Sequence, residues 1–331
     1  MWRRLFIVVL ACGVAGAALA DVPAASGDAL GWLKKMAAAS RQLNYSGTFV
    51  YQHGSQSETS RVVHFVNAAG GVFERLETLD GPPREVIRSN DQIVCYLPAA
   101  RTVLIEQRGG RHFPNLLPET LSGLSDNYQV RAEEKDRIAG HDCQWVSVVP
   151  KDNLRYGRKF CAELTTGLPL RARTVNEKNE TVESFAFTQL KLGGSFNREQ
   201  VRSRYADRAR SQGWKVDRSA LTVSADAPAD TGWVVNNQPA GFKKMMEVKR
   251  SIAGRSAPVS HIVFSDGLTA VSVFIEPAGK PVTQALTHQG AVNIYSRPLA
   301  GHLVTVLGEA PPATVMQIAN SIEQRTASVV R

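Results

Sequence analysis

Four cysteines, seven histidines and a few closely spaced carboxylates are the side chains here that could ligate, oxidise or transfer a proton. The histidines are His53, His64, His112, His141, His261, His288 and His302, and none stands three or four residues from another. That spacing gives no helix the paired imidazoles that hold a zinc ion, so no metal is expected. Glu74 and Glu77 flank Arg75 in a strand-like run, where neighbouring side chains point to opposite faces. They read as a salt-bridged surface rather than a catalytic pair. The patterns G-x-S-x-G, S-x-x-K, the P-loop, G-x-G-x-x-G and C-x-x-C are absent from the sequence. The chemistry left is oxidation of a cysteine pair. Cys143 and Cys161 flank the turn-like Pro150-Lys151-Asp152-Asn153. A hairpin centred on Asp152 sets them opposite each other, where non-hydrogen-bonded Cα atoms lie about 4.5 Å apart, inside the disulfide window. Two buried free thiols are the alternative. Cys95, in IVCYL, reads as a core position. The expectation is a binding protein with no cofactor, and not an enzyme.

The compartment follows from the first twenty residues. Arg3 and Arg4 precede an apolar run from Leu5 to about Ala17, and Ala18-Leu19-Ala20 is an A-x-A cleavage site before Asp21. The run is shorter than the roughly 20 residues of a membrane span. Cleavage after Ala20 and export to the periplasm are expected, and export permits a disulfide. A lipoprotein signal at Cys12 is the rival reading. The chain carries a formal charge of +9, and loss of the two leader arginines leaves +7. A basic secreted protein meets acidic proteins, phosphorylated lipids or a membrane surface more readily than nucleic acid.

The elements that must position these residues are mostly strands. Ala29 to Leu43 reads as a helix with Trp32, Leu33, Met36, Ala37, Ser40 and Leu43 on one face. Short strands follow at 45–52, 61–67, 72–79, 85–88, 93–97, 102–106 and 128–133, punctuated by Gly and Pro. Residues 154–190 parse as a three-stranded meander, with turns at Thr165-Thr166-Gly167 and Asn176 to Glu180. Residues 193–230 read as a basic interdomain linker, helical in its first half. Beyond it, Ser265-Asp266-Gly267 between two β-branched runs is a strong hairpin signal. Pro311-Pro312 opens a last helix through Gln324. The division expected is a leader at 1–20, a first domain at 21–192, a linker at 193–230 and a second domain at 231–325. The fold class expected is α+β: an open, curved antiparallel sheet with helices, then a smaller α+β domain.

Two binding features stand out. Phe49 and Tyr51 share a strand face, with Phe65 and Phe73 on later strands. A curved sheet with few covering helices leaves such residues to line an apolar pocket suited to an acyl chain. Arg202, Arg204, Arg208 and Arg210 in the basic linker are candidates for gripping an acidic partner, against a plainly solvated linker.

Several strings resemble the MucB/RseB family: NYSGTFVYQHG (44–54), ERLETLDGPPREVIR (74–88), the 154–190 meander, PAGFKKM (239–245), FSDGLTAVSVFIEP (264–277) and HLVTVLGEAPPATVMQIANSI (302–322). The resemblance implies a first domain similar to lipoprotein carriers, an unclosed β-barrel. It implies a second domain that contributes most to binding the periplasmic segment of a membrane anti-sigma factor, guarding it from proteolysis. It further implies release when lipopolysaccharide or another acylated ligand binds. The family offers no catalytic motif to transfer. A lipid or lipoprotein carrier without a regulatory partner is the alternative, and oligomeric state is left open.

Overall fold

The structure is a computed structural model that describes residues 26–90, 92–107, 116–118, 121–195, 197–218, 230–250, 257–279 and 283–325. The expected leader and the second half of the expected linker, 219–229, lie outside the described residues. Helix α1 spans Ser26–Gln42. Its buried positions are Ala29, Leu33, Met36 and Ala39, the three-and-four spacing of one helix face. Trp32, expected on that face, is half-buried beside it, with Lys35 Nζ 4.7 Å from its ring centre.

Strands β1 (Tyr45–His53), β2 (Gln56–Val66), β3 (Val72–Thr78), β4 (Glu85–Ser89), β5 (Gln92–Leu97) and β6 (Thr102–Gln107) follow in sequence. After a short helix, α2 (Leu124–Asn127), come β7 (Tyr128–Ile138), β8 (His141–Pro150), β9 (Gly157–Glu163), β10 (Pro169–Val175) and β11 (Thr181–Leu192). They form one unclosed sheet, whose order β6-β5-β4-β3-β2-β1-β11-β10-β9-β8-β7 makes β1 the seam between two meanders. All these neighbours run antiparallel, so short turns suffice to join them. Gly167 (φ 80°) and Asn179 (φ 62°) supply the left-handed backbone in the two turns of the second meander. One face of the sheet packs around α1, where Tyr45, Val62, Val146, Phe160 and Leu170 join Leu33 and Met36 in the core.

The basic segment after β11 is not a free linker. Asn197 caps a one-turn 3-10 helix (Arg198–Val201), α3 covers Ala206–Ser211, and β12 (Lys215–Asp217) runs parallel beside β6. Val201, Ala209 and Trp214 are buried, the last two against Val103 on the sheet face opposite α1. Composition showed the arginines of this stretch, but the apolar residues spaced between them decide its place.

The second domain has a six-stranded antiparallel sheet. Its strands are β14 (Lys243–Arg250), β15 (Val259–Ser265), β16 (Ala270–Pro277), β17 (Ala285–Gln289), β18 (Val292–Leu299) and β19 (His302–Gly308), in the order β14-β15-β16-β19-β18-β17. Helix α4 (Pro312–Asn320) covers one face through Val315, Ile318 and Ala319. The helix stops short of the expected Gln324, because Ile322–Gln324 (β20) pairs with Trp233–Val235 (β13) and Ile322 buries its side chain there. The fold is therefore an open, curved antiparallel sheet with few helices, joined to a smaller α+β domain.

The β8–β9 hairpin differs from expectation in register. Trp145, not Cys143, lies opposite Cys161, and Cys143 lies opposite Glu163. The connection is a longer loop centred on Asn153, so the two cysteines are diagonal neighbours. Their Cα atoms are nevertheless 5.4 Å apart and their Sγ atoms lie at 2.11 Å, bonding distance.

Candidate functional site

The longer β8–β9 loop exists to reach the second domain. Arg155, at its end, has a fully buried side chain. Its Nε donates to Asp266 Oδ2 at 2.6 Å, and its guanidinium also meets the Asp152 carboxylate and the Ala240 carbonyl. The group lies 4.9 Å from the Phe242 ring centre and 5.9 Å from that of Tyr128. Asp266 belongs to the β15–β16 turn, where Gly267 supplies a φ of 97°. Its Oδ1 accepts from the Leu268 and Thr269 amides at 3.0 and 2.8 Å, while Tyr128 Oη donates to Oδ2 at 2.8 Å. Burial first, and then the Asp266 carboxylate, push the Tyr128 hydroxyl pKa well up, so it stays a donor.

Gly241 closes the same contact from the other side. Its φ is 84°, and a Cβ there would overlap the Asn127 side-chain amide. Asn293 Nδ2 donates to Tyr156 Oη at 3.0 Å, and Thr314 Oγ1 donates to the Leu154 carbonyl at 2.6 Å. The two sheets thus meet through a satisfied polar seam rather than a greasy one.

Beside this seam lies a cavity of about 750 Å³, with walls from both domains. Its apolar wall includes Leu116, Leu117, Phe160, Phe185, Leu268 and Leu307. Its polar end is a cluster around Glu183. Tyr51 Oη donates to Glu183 Oε2 at 2.6 Å, and Thr174 Oγ1 donates to Oε1 at 3.2 Å. Arg158 stands 3.8 Å from Glu183 and 2.7 Å from Glu309 of the second domain, and the Ala291 amide donates to Glu183 Oε2 at 3.3 Å. Burial and the Glu183 bond push the Tyr51 hydroxyl pKa far up. The cavity thus joins an apolar wall to an equally extensive polar one, and convergent polar groups beside apolar surface are what fix a ligand in a binding pocket.

The four aromatics expected to line one pocket are divided. Tyr51 lines the cavity, and Phe49 lies buried against Phe185, ring centres 5.0 Å apart. Phe65 and Phe73 stack on each other at 5.9 Å on the opposite face of the sheet. Register explains this: Tyr45 pairs with His64, so Phe65 points the other way, and Phe73 pairs with Phe65. Arg198 covers Phe73 at 5.5 Å.

Two of the four linker arginines are engaged within the chain. Arg202 pairs with Asp207 at 2.6 Å, and Arg204 pairs with Glu85 at 2.7 Å and with Glu77. Arg208 and Arg210 are exposed on α3. Sequence reasoning missed Arg155, Arg158 and Glu183 because nothing local marks them. Asp266 was visible only as a turn residue. Among the described residues no cluster of three or more His, Cys, Asp or Glu side chains could hold a metal ion, and no helix is long and apolar enough to cross a membrane.

The sequence profile of the MucB/RseB N-terminal domain matches residues 28–205, and that of the MucB/RseB C-terminal domain matches residues 227–323. The chain belongs to the MucB/RseB family. Among curated MucB/RseB relatives, the sigma factor AlgU regulatory protein MucB of Pseudomonas aeruginosa is 32% identical over 316 residues, covering 94% of this chain and 96% of that protein. The sigma-E factor regulatory protein RseB of Escherichia coli K12 is 25% identical over 296 residues, covering 88% of this chain and 89% of that protein. In the solved MucA/MucB complex of Pseudomonas aeruginosa, a chain matches 91% of this one over its whole length, with 30% identity and a TM-score of 0.72. A crystal structure of MucB matches 90% of this chain and 98% of its own, with 29% identity and a TM-score of 0.61. These MucB/RseB relatives are named as regulators, not as enzymes.

Proposed function

We propose that this protein is a periplasmic negative regulator that binds the periplasmic segment of a membrane-anchored anti-sigma factor. In this reading it shields that segment from regulated proteolysis and releases it when a lipid or lipopolysaccharide-type ligand binds. One observation carries the reading: the likeness spans both domains and extends to MucB in complex with MucA(peri), with a TM-score of 0.71 over 91% of this chain. The expected leader, cleaved after Ala20, supports export.

The interdomain cavity supports the release step. An acyl chain entering its apolar wall would press on Glu183, Arg158 and Glu309, which join the domains. A ligand shifts such an equilibrium only by binding the released arrangement more tightly than the complexed one. The domain division keeps its order, with a first unit extended to Asp217 and a connector beyond it. Arg208 and Arg210 are the arginines available to an acidic partner, since Arg202 and Arg204 already have acids.

The test is calorimetric binding of the mature protein to the periplasmic segment of the cognate anti-sigma factor, with and without an acylated lipid. Tight binding that the lipid weakens is the expected result. Absence of binding to the segment, with lipid still bound, would leave a carrier.

A further inference from the structure

The sheet face opposite Arg158, Thr174 and Glu183 gathers cations that the mechanism above does not use. Register sets them side by side. Ser147 pairs with Lys159, Lys159 with Arg173, and Arg173 with Ser184, giving one row across β8, β9, β10 and β11. Arg131 extends the row on β7, opposite Ser147. The next row holds Trp145, Cys161 and Arg171. Adjacent strands lie about 4.8 Å apart, so Lys159, Arg171 and Arg173 present three positive side chains within one small area.

Their surroundings are those of an incomplete polar site. Neither the Arg171 nor the Arg173 guanidinium makes a salt bridge among the described residues. Arg173 instead lies over the Trp145 ring, 5.1 Å from its centre. The Arg171 Nε and the Ser147 Oγ are both buried with no hydrogen-bond partner, and Ser147 is 1% exposed. Buried donors of this kind are rare in folded proteins and call for a partner. The nearby acids are engaged: Asp136 accepts from Trp145 Nε1 at 3.0 Å, and Glu133 stands 4.0 Å from Lys159. Burial, and then the charge of Arg173, pull the Arg171 pKa down, and the Asp136 carboxylate offsets them only in part.

We propose that Lys159, Arg171 and Arg173, with the Ser147 hydroxyl, form a binding site for a phosphate group. Two planar guanidiniums and an ammonium match a phosphate in charge and in donor number, and Arg suits bidentate contact. Trp145 forms an apolar floor beside it, suited to whatever carries the phosphate. The phosphate can belong to a lipid headgroup or be a free anion. This proposal does not rest on the regulatory reading.

The experiment uses the mature protein and two probes. One is inorganic phosphate, titrated calorimetrically. The other is phosphatidylcholine vesicles with and without phosphatidylglycerol, in co-sedimentation. Binding of the wild type to either probe, at least tenfold weaker in Arg171→Gln/Arg173→Gln, is expected. Binding of inorganic phosphate identifies a free-anion site, and binding of phosphatidylglycerol vesicles alone identifies a headgroup site. If the wild type binds neither probe, or the folded double variant binds as the wild type does, the proposal is wrong. Should the double variant fail to fold, the Lys159→Gln variant decides: binding weakened severalfold supports the site, and unchanged binding overturns it.

Discussion

Arg155 and Asp266 stand 111 positions apart in the chain and meet with both side chains fully buried, Nε to Oδ2 at 2.6 Å. One comes from a loop of the first sheet, the other from the four-residue connection between β15 and β16 of the second. Around them every oxygen of the carboxylate is used, by Tyr128, Leu268 and Thr269 as well as by Arg155. Breaking a buried pair by deleting one member strands the other, which is far costlier than the net contribution of the pair.

Arg155→Met should therefore destabilise the protein by about 3–5 kcal/mol. Because the lost contact joins two domains, the wild type should unfold in a single thermal transition and the variant in two. Scanning calorimetry reads both effects, and one unshifted transition would refute the role given to this pair.

Cys143 and Cys161 should be oxidised in the exported protein, a mass two hydrogens lower than that of the reduced chain. The bond closes a loop of 18 positions, for which the chain-entropy model gives about 3 kcal/mol. Cys143→Ser/Cys161→Ser should lower the unfolding midpoint accordingly in denaturant. A reductant should do the same to the wild type and nothing to the variant.

Glu163 should make the protein acid-sensitive. Burial alone would raise its pKa, but bonds from the Thr166 hydroxyl and the Thr166 and Thr165 amides outweigh burial and hold it below the usual carboxylate range. A depressed folded-state pKa contributes stability that is complete above the unfolded value, near 4.3, and is lost as pH falls through the folded value. Glu163→Gln should cost stability at pH 7 and flatten the decline below about pH 4.3. Urea titrations at the two pH values, for both proteins, measure the difference.

Arg204→Ala and Arg208→Ser/Arg210→Ser should behave differently. Arg204 is half exposed but its partner Glu85 is fully buried, so removing Arg204 takes a donor from a buried carboxylate and should cost about 1–3 kcal/mol, with no change in partner affinity. The Arg208/Arg210 change should leave stability alone while reducing both affinity for the anti-sigma segment and its salt dependence. Affinity and salt slope identical to wild type would remove α3 from the interface.

Strand alternation and turn residues made much of this fold legible. The meander at 154–190 and the Asp266-Gly267 hairpin announced themselves through Gly, Asn and β-branched runs. What failed was what depends on register or on distant partners. A loop two residues longer than a tight turn moved Cys143 away from direct opposition to Cys161. One step of parity sent Phe65 and Phe73 to the face away from Tyr51. The exposed strand Ala285–Gln289 lacks an apolar face to signal it, and it escaped notice. The basic stretch after Leu192 concealed Val201, Ala209 and Trp214, whose burial makes it part of the first domain. At the site, Arg155 and Glu183 are ordinary surface-type residues until the second domain covers them.

The position of β1 between β2 and β11 also bears on how the chain is made. Thr48 and Thr188, bonded across that seam, are 140 positions apart. A chain emerging from its N-terminus can therefore form the hairpins from β1 to β6 early, but β1 keeps an open edge until β11 arrives. Contacts so distant in sequence are slow to form, and an unpaired strand edge invites wrong partners in the interval. Most of the first domain must be synthesised before its central strand is covered on both edges.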